Sequence, residues 1–124
     1  MKGIFVNEDG GIRYASAIVR GIKPVETRSR NMLKSLVGER VAVVRTHGNA
    51  GPLIVGYVTI SFAVFHNAEW LEENRDLTLI PRGSKYDTDK GRWCYWLRLP
   101  QKCKPYPLPK DAVRHGRSWC EWKE

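Results

Sequence analysis

The sequence predicts a single α+β domain over residues 1–124: a small β-barrel of five or six strands flanked by two or three short helices. Three observations predict it. The chain has 124 residues, a length that suits one hydrophobic core and not two. Its apolar runs are short and rich in β-branched residues, and the two strongest lie either side of a Gly/Asn/Pro cluster, as in a hairpin. The helical patterns come early and in a connection, without regular strand–helix alternation, which argues against a doubly wound sheet.

The elements follow in order. Ile12, Ala15, Ile18 and Val19 recur at three- and four-residue intervals, so residues 12–20 read as an amphipathic helix, ended by Gly21. Pro24 blocks continuation and makes Val25 to Arg28 extended. Met32, Leu33 and Leu36 share a face in a short helix stopped by Gly38. Arg40 to Thr46 is a strand. Residues 47–52 are a turn. Leu53 to Phe65 is a long strand whose Ile54, Val58, Ile60, Phe62 and Val64 suit a core. Asn67 is a good N-cap, and Glu69, Glu72 and Glu73 complement the start of a helix over 68–75. Leu77 to Ile80 reads as a short strand and 81–91 as a flexible polar loop. Trp93 to Leu99 is a strand that puts Trp93, Tyr95, Leu97 and Leu99 on one face and Cys94, Trp96 and Arg98 on the other. Pro100, Pro105, Pro107 and Pro109 make the following stretch irregular. Residues 111–124 form a basic, aromatic tail with no assignable structure.

Composition narrows the function. Lys and Arg number 21 against 13 Asp and Glu, a net charge of +8. Residues 13–45 hold eight basic side chains against Glu26 and Glu39, and residues 98–117 hold six against Asp111. Residues 66–76 between them are acidic, with Glu69, Glu72, Glu73 and Asp76 against Arg75. Two basic segments suit a polyanion such as nucleic acid, and a merely solvated surface has the same composition. No run approaches the roughly 20 apolar residues that cross a bilayer, so no membrane partner is expected. The N-terminus lacks a signal peptide's apolar region, and three cysteines suit a reducing compartment, so the expected location is cytoplasmic.

One segment is more specific. Gly21-Ile22-Lys23-Pro24-Val25-Glu26-Thr27-Arg28 has the pattern Gly-x-Lys-x-x-Glu-x-Arg after an amphipathic helix. This resembles the signature of the ASCH domain, a branch of the PUA-like superfamily. The strand at 40–46, the glycine-bearing strand Val55-Gly56-Tyr57-Val58 and the late Arg92-Trp93-Cys94-Tyr95-Trp96-Leu97 with Pro105 and Pro107 agree in order. The resemblance spans roughly residues 10–110. It implies a PUA-like barrel with a cleft lined by Lys23, Glu26 and Arg28, and binding of RNA or a nucleotide-like ligand. Arg45 and Arg117 are weaker additions to that site.

Alternatives from other classes stay open: an enzyme acting on RNA or modified nucleosides, and a protein-interaction module. On an extended strand Glu26 and Arg28 share a face, and the pair could equally tie the strand to its neighbours. The family's acetylcytidine amidohydrolase has threonine at the position of Glu26. Here Thr27 is one residue away and on the other face, so only Lys23 matches. A ribonuclease could use Lys23, Glu26 and Arg28 with His47, His66 or His115. Cys94, Cys103 and Cys120 with His115 lack the paired spacing of a zinc site, so no metal and no cofactor is expected. Trp93, Tyr95, Trp96, Trp119 and Trp122 offer stacking surfaces or core, and the last two are the better ligand-facing candidates.

Overall fold

The computed structural model describes residues 1–46 and 48–124. Seven strands form one mixed sheet: β1 (Lys2–Val6), β2 (Val25–Arg28), β3 (Arg40–Arg45), β4 (Leu53–His66), β5 (Arg92–Pro107), β6 (Val113–His115) and β7 (Trp119–Glu121). Their order across the sheet is β2-β5-β4-β3-β1-β7-β6. β1 runs parallel to β3, and the other neighbours are antiparallel. The helices are α1 (Tyr14–Val19), α2 (Ala68–Glu73) and α3 (Arg75–Thr78), with a 3₁₀ turn at Lys34–Leu36.

The α+β class holds, but the barrel is corrected to an open sheet. β2 and β6 are its two edges, and among the described residues no ladder joins them. The sheet bends back far enough for Arg28 of β2 to donate from Nη2 to the Phe5 carbonyl of β1 at 2.7 Å. A side chain thus spans a gap that backbone pairing leaves open.

The main core fills the concave side. Tyr14, Ala15, Ile18 and Val19 of α1 pack on Val41, Val43, Val55, Val58, Ile60 and Tyr95. A second cluster joins Phe5, Ala42, Val44, Ile54, Leu108 and Cys120, and a third seats Leu71 of α2 on Val25 and Cys94. Alternation along β3, β4 and β5 divides these clusters between the faces of the sheet.

Several expectations shift. The N-terminal residues form β1, buried between β3 and β7. The tail, unassigned from sequence, pairs as β6 and β7, and Trp119 and Trp122 pack partly against the core. Residues 75–78 are helical, so the strand expected at 77–80 is absent. Their four-residue helix follows α2 directly, through Asn74. Phe62 is not core but 48% exposed, because β4 has passed a register shift between Ile60 and Phe62. β5 continues through its prolines to Pro107. Beyond Trp96 it has a ladder partner, β4, on one side only, so a missing N–H on the other side sacrifices no sheet bond. Asn67 caps α2 as expected, its Oδ1 accepting from the Trp70 amide at 2.9 Å.

No helix among the described residues is long and apolar enough to cross a membrane.

At Gly56 β4 passes unusually close to its neighbours. A Cβ built there would lie 2.2 Å from the Gln101 carbonyl and 2.7 Å from Val19 Cγ1. Gly56→Ala should therefore destabilise the fold by about 3 kcal/mol through overpacking. Urea unfolding of the variant beside the parent checks this.

Candidate functional site

The helix end at Gly21 sets up the site. Gly21 adopts φ +77°, which favours glycine. The amides of Ile22 and Lys23 both donate to the Ala17 carbonyl, at 2.9 and 3.1 Å. This folded-back end aims Lys23 inward, where it is 2% exposed. Its ammonium donates to the Val25 carbonyl at 2.8 Å and to the Thr78 carbonyl, and lies 3.6 Å from Glu26 Oε1. It also sits over the Tyr14 ring, 4.9 Å from the centroid.

Glu26 and Arg28 share a face of β2, as the alternation requires. Glu26 Oε1 accepts from the Thr27 amide at 3.2 Å, and Oε2 accepts from Arg28 Nη2 at 3.0 Å. Desolvation is the largest influence on Glu26 and pushes its carboxyl upward. The charges of Arg28 and Lys23, with the two hydrogen bonds, outweigh it and hold the group below its ordinary value. Burial pulls the Lys23 ammonium down, and Glu26 opposes that. Burial, with Asp9, Tyr86 and Glu26 adding to it, raises Tyr14 to about 12.

These groups are therefore buried against one another and also wall a cavity of about 490 Å³. The cavity occupies the gap that Arg28 spans. β1 contributes Phe5 and Val6, and α1 contributes Tyr14. The loop after α3 contributes Ile80 and Tyr86, and the β6–β7 turn contributes Arg117 and Ser118. Arg92 lines it from the start of β5, with Nε donating to Thr27 Oγ1 at 2.8 Å and Nη2 to the Thr27 carbonyl at 3.3 Å. The Thr27 hydroxyl is thus held by Arg92.

Of the residues singled out in the sequence, Lys23, Glu26, Arg28 and Arg117 converge on this cavity. Arg45 does not line it, although it pairs with the lining residue Val6 at the end of β3. His66 stacks on Trp70 with ring centroids 3.7 Å apart, and His115 stacks on Trp119 while its Nε2 lies 2.8 Å from Glu121 Oε1. Neither lines the cavity, and His47 lies outside the described residues. Cys94 is in the α2-side core, while Cys103 and Cys120 pack in the second cluster. Sequence reasoning missed Tyr14, Tyr86, Met32 and Ser118. Tyr86 had a readable signal as the lone aromatic in the polar stretch 81–91. That stretch is not a loose loop. Arg75 donates to the Ile80 carbonyl at 2.8 Å and to Asp87 Oδ1 at 3.1 Å, while Asp87 Oδ2 accepts from the Gly83 amide at 2.9 Å. These bonds hold Tyr86 edge-on to Tyr14, with centroids 5.9 Å apart.

The sign of the Glu26 shift fixes a pH response. A depressed folded pKa contributes stability above the ordinary value of 4.5 and loses it as pH falls through the folded value. Glu26→Gln, which strands two buried cations, should cost about 3 kcal/mol at neutral pH. That difference from the parent should shrink steadily in urea melts taken below the ordinary value.

No protein-family model and no curated protein matches the chain. Solved structures do. An ASCH protein from Zymomonas mobilis superposes with TM-score 0.63 at 20% identity, over 86% of this chain and 73% of that one. Its Tyr-to-Phe variant gives 0.66 at 22% identity, over 87% and 77%. Its Ser-to-Ala variant gives 0.72 at 18% identity, over 98% and 88%. These superpositions establish that the chain has the ASCH-domain fold.

Proposed function

We propose that the cavity binds RNA through a single unpaired nucleotide, or a nucleotide-like ligand of the same chemistry. The observation that carries this is the pairing of surplus cations with aromatic walls in one half-open cavity. Arg28, Arg92 and Arg117 border the cavity, and Glu26, the one carboxylate among the described lining residues, is already matched by Lys23. An anionic group therefore has guanidinium partners, which suit phosphate oxygens in a fork geometry. Tyr14, Tyr86, Met32 and Val6 give a flat ring an apolar home on the other side. A volume of about 490 Å³ lies in the range of small-ligand sites. It is a space for one nucleotide rather than a duplex.

In this reading the three motif residues divide the work. Lys23 faces inward and orients Glu26. Glu26 fixes Arg28 and offers an acceptor to a base's donor group. Arg28 and the exposed Arg117 meet the phosphate. The remaining basic surface contributes general attraction, which steers any polyanion toward the protein.

A labelled single-stranded oligoribonucleotide, titrated by anisotropy, tests this. Affinity should fall about tenfold or more between roughly 50 and 200 mM salt, as released counterions require. Arg117→Ala should weaken binding about tenfold and reduce the salt dependence while leaving the melting temperature unchanged. Tyr86→Ala should weaken it by a similar factor with the salt dependence intact, since it removes a stacking wall and no charge. Absence of binding at low salt would overturn the proposal.

A further inference from the structure

The cavity holds more positive charge than its own residues neutralise. Arg28, Arg92 and Arg117 line it, and Glu26 is the one carboxylate among the described lining residues. Guanidiniums stay charged at any working pH, so three against one leaves a surplus of two before Lys23 is counted. Arg117 is exposed, but Arg28 and Arg92 are only partly so, and water screens them less. Those two come from neighbouring strands: Arg28 pairs in the ladder with Trp93, the residue after Arg92. Burial lowers the pKa of Arg92, Glu26 opposes this, and the like charge of Arg28 adds to it. Crowding like charges in this way is unfavourable unless an anion accompanies them.

Donors are left over as well. Arg28 uses Nη2 for the Phe5 carbonyl and for Glu26. Arg92 uses Nε and Nη2 for Thr27. Among the described residues, Nε and Nη1 of Arg28, Nη1 of Arg92 and the whole Arg117 guanidinium make no hydrogen bond. None of the idle Arg28 and Arg92 nitrogens is sealed from solvent. Arg92 is also held in position, by Thr27 on one side and with its Cζ 5.8 Å from the Tyr86 ring centroid on the other. Preset, unused guanidinium donors around one space match a phosphate with several free oxygens.

An internal phosphodiester brings one negative charge and two free oxygens. A terminal phosphomonoester brings about −1.5 to −2 charges near pH 7 and three free oxygens. The second matches a surplus of two and three guanidiniums with idle donors. Resting on the cavity reading, we propose that the cavity takes the terminal nucleotide of an RNA and holds its phosphomonoester with Arg28, Arg92 and Arg117. A chain end needs only one way in, which fits a half-open space of about 490 Å³. Arg92 makes the distinction between an end and an interior position, since Arg28 and Arg117 alone suffice for the single charge of a diester.

Isothermal titration at fixed ionic strength tests this with four unlabelled oligouridylates. One lacks a terminal phosphate, and two are the same chain with a 5′- or a 3′-phosphate. The fourth is unphosphorylated but two nucleotides longer, so its total charge equals that of the phosphorylated chains. The parent should bind at least one phosphorylated form about tenfold more tightly than the unphosphorylated chain of equal length, and more tightly than the longer chain. Arg92→Gln should remove this preference. Lys104→Gln, which deletes an exposed charge outside the cavity, should keep it. The preference is a ratio measured on one protein, so it does not depend on the fraction folded, even if Arg92→Gln loosens Thr27. Equal affinity for the phosphorylated chains and the longer chain overturns the proposal, because the gain is then general charge attraction. A preference that survives Arg92→Gln overturns it too. Both of those results leave the cavity reading standing. Binding of no chain at low salt overturns that reading, and the proposal with it.

Discussion

Arg28 joins two strands that the backbone ladder leaves apart, and the arrangement of the site follows from that contact. Its Nη2 bonds both the Phe5 carbonyl of β1 and the Glu26 carboxylate beside it on β2. A guanidinium taken this far from water needs a counter-charge, and Glu26 supplies it. Glu26 is itself buried, so it needs more than one cation, and Lys23 is the second. Lys23 in turn has its donors met by the carbonyls of Val25 and Thr78, which ties β2 to α3. Each buried charge thus requires the next. The chain of compensation runs from β1 to α3, across the space where a barrel would have closed.

That open seam is what makes room for the cavity. A fully paired barrel would have filled it with backbone hydrogen bonds. Here side chains span it at one point and leave about 490 Å³ beside them. The walls come from segments distant in sequence: β1, α1, the loop after α3 and the β6–β7 turn. The long β4–β5 pair gives the sheet its bend, with register shifts near Gly56, Thr59 and Phe62. Gly56 lets Val19 of α1 and the Gln101 carbonyl come close, so the helix that carries Tyr14 sits deep enough to reach the cavity.

Charge is segregated in the same molecule. The cavity collects arginines and pairs its carboxylate internally. The α2 segment carries carboxylates, and its Trp70 stacks on His66 and meets Trp96 edge-on. The acidic stretch also has a local role, since Glu72 receives Arg75 and Arg82 and so helps fix the segment that presents Tyr86. Two neighbouring glutamates, Glu69 and Glu73, have no such task. Glu69 and Glu72, three residues apart on α2, border one groove with Arg75 and Asp87.

Local rules made a good part of this legible. The spacing of Ala15, Ile18 and Val19 marked α1, Gly21 its end, Asn67 the cap of α2, and the β-branched runs β3 and β4. Alternation along residues 25–28 put Glu26 and Arg28 on one face, and the Gly-x-Lys-x-x-Glu-x-Arg pattern pointed to a segment that lines the cavity. These features depend on neighbours within a few residues, so the sequence by itself determined them. It did not determine that β1 lies between β3 and β7, that the tail pairs as β6 and β7, or that the sheet stays open. Nor could it show that Tyr14, Tyr86, Met32 and Ser118 share a cavity with Lys23, or that Arg45 stays outside it. Strands of three to five residues carry little pattern of their own, and their partners are more than a hundred residues away in the case of β1 and β7. Only the tertiary structure decided them, because long-range pairing and the compensation of buried charge are settled by the whole chain at once.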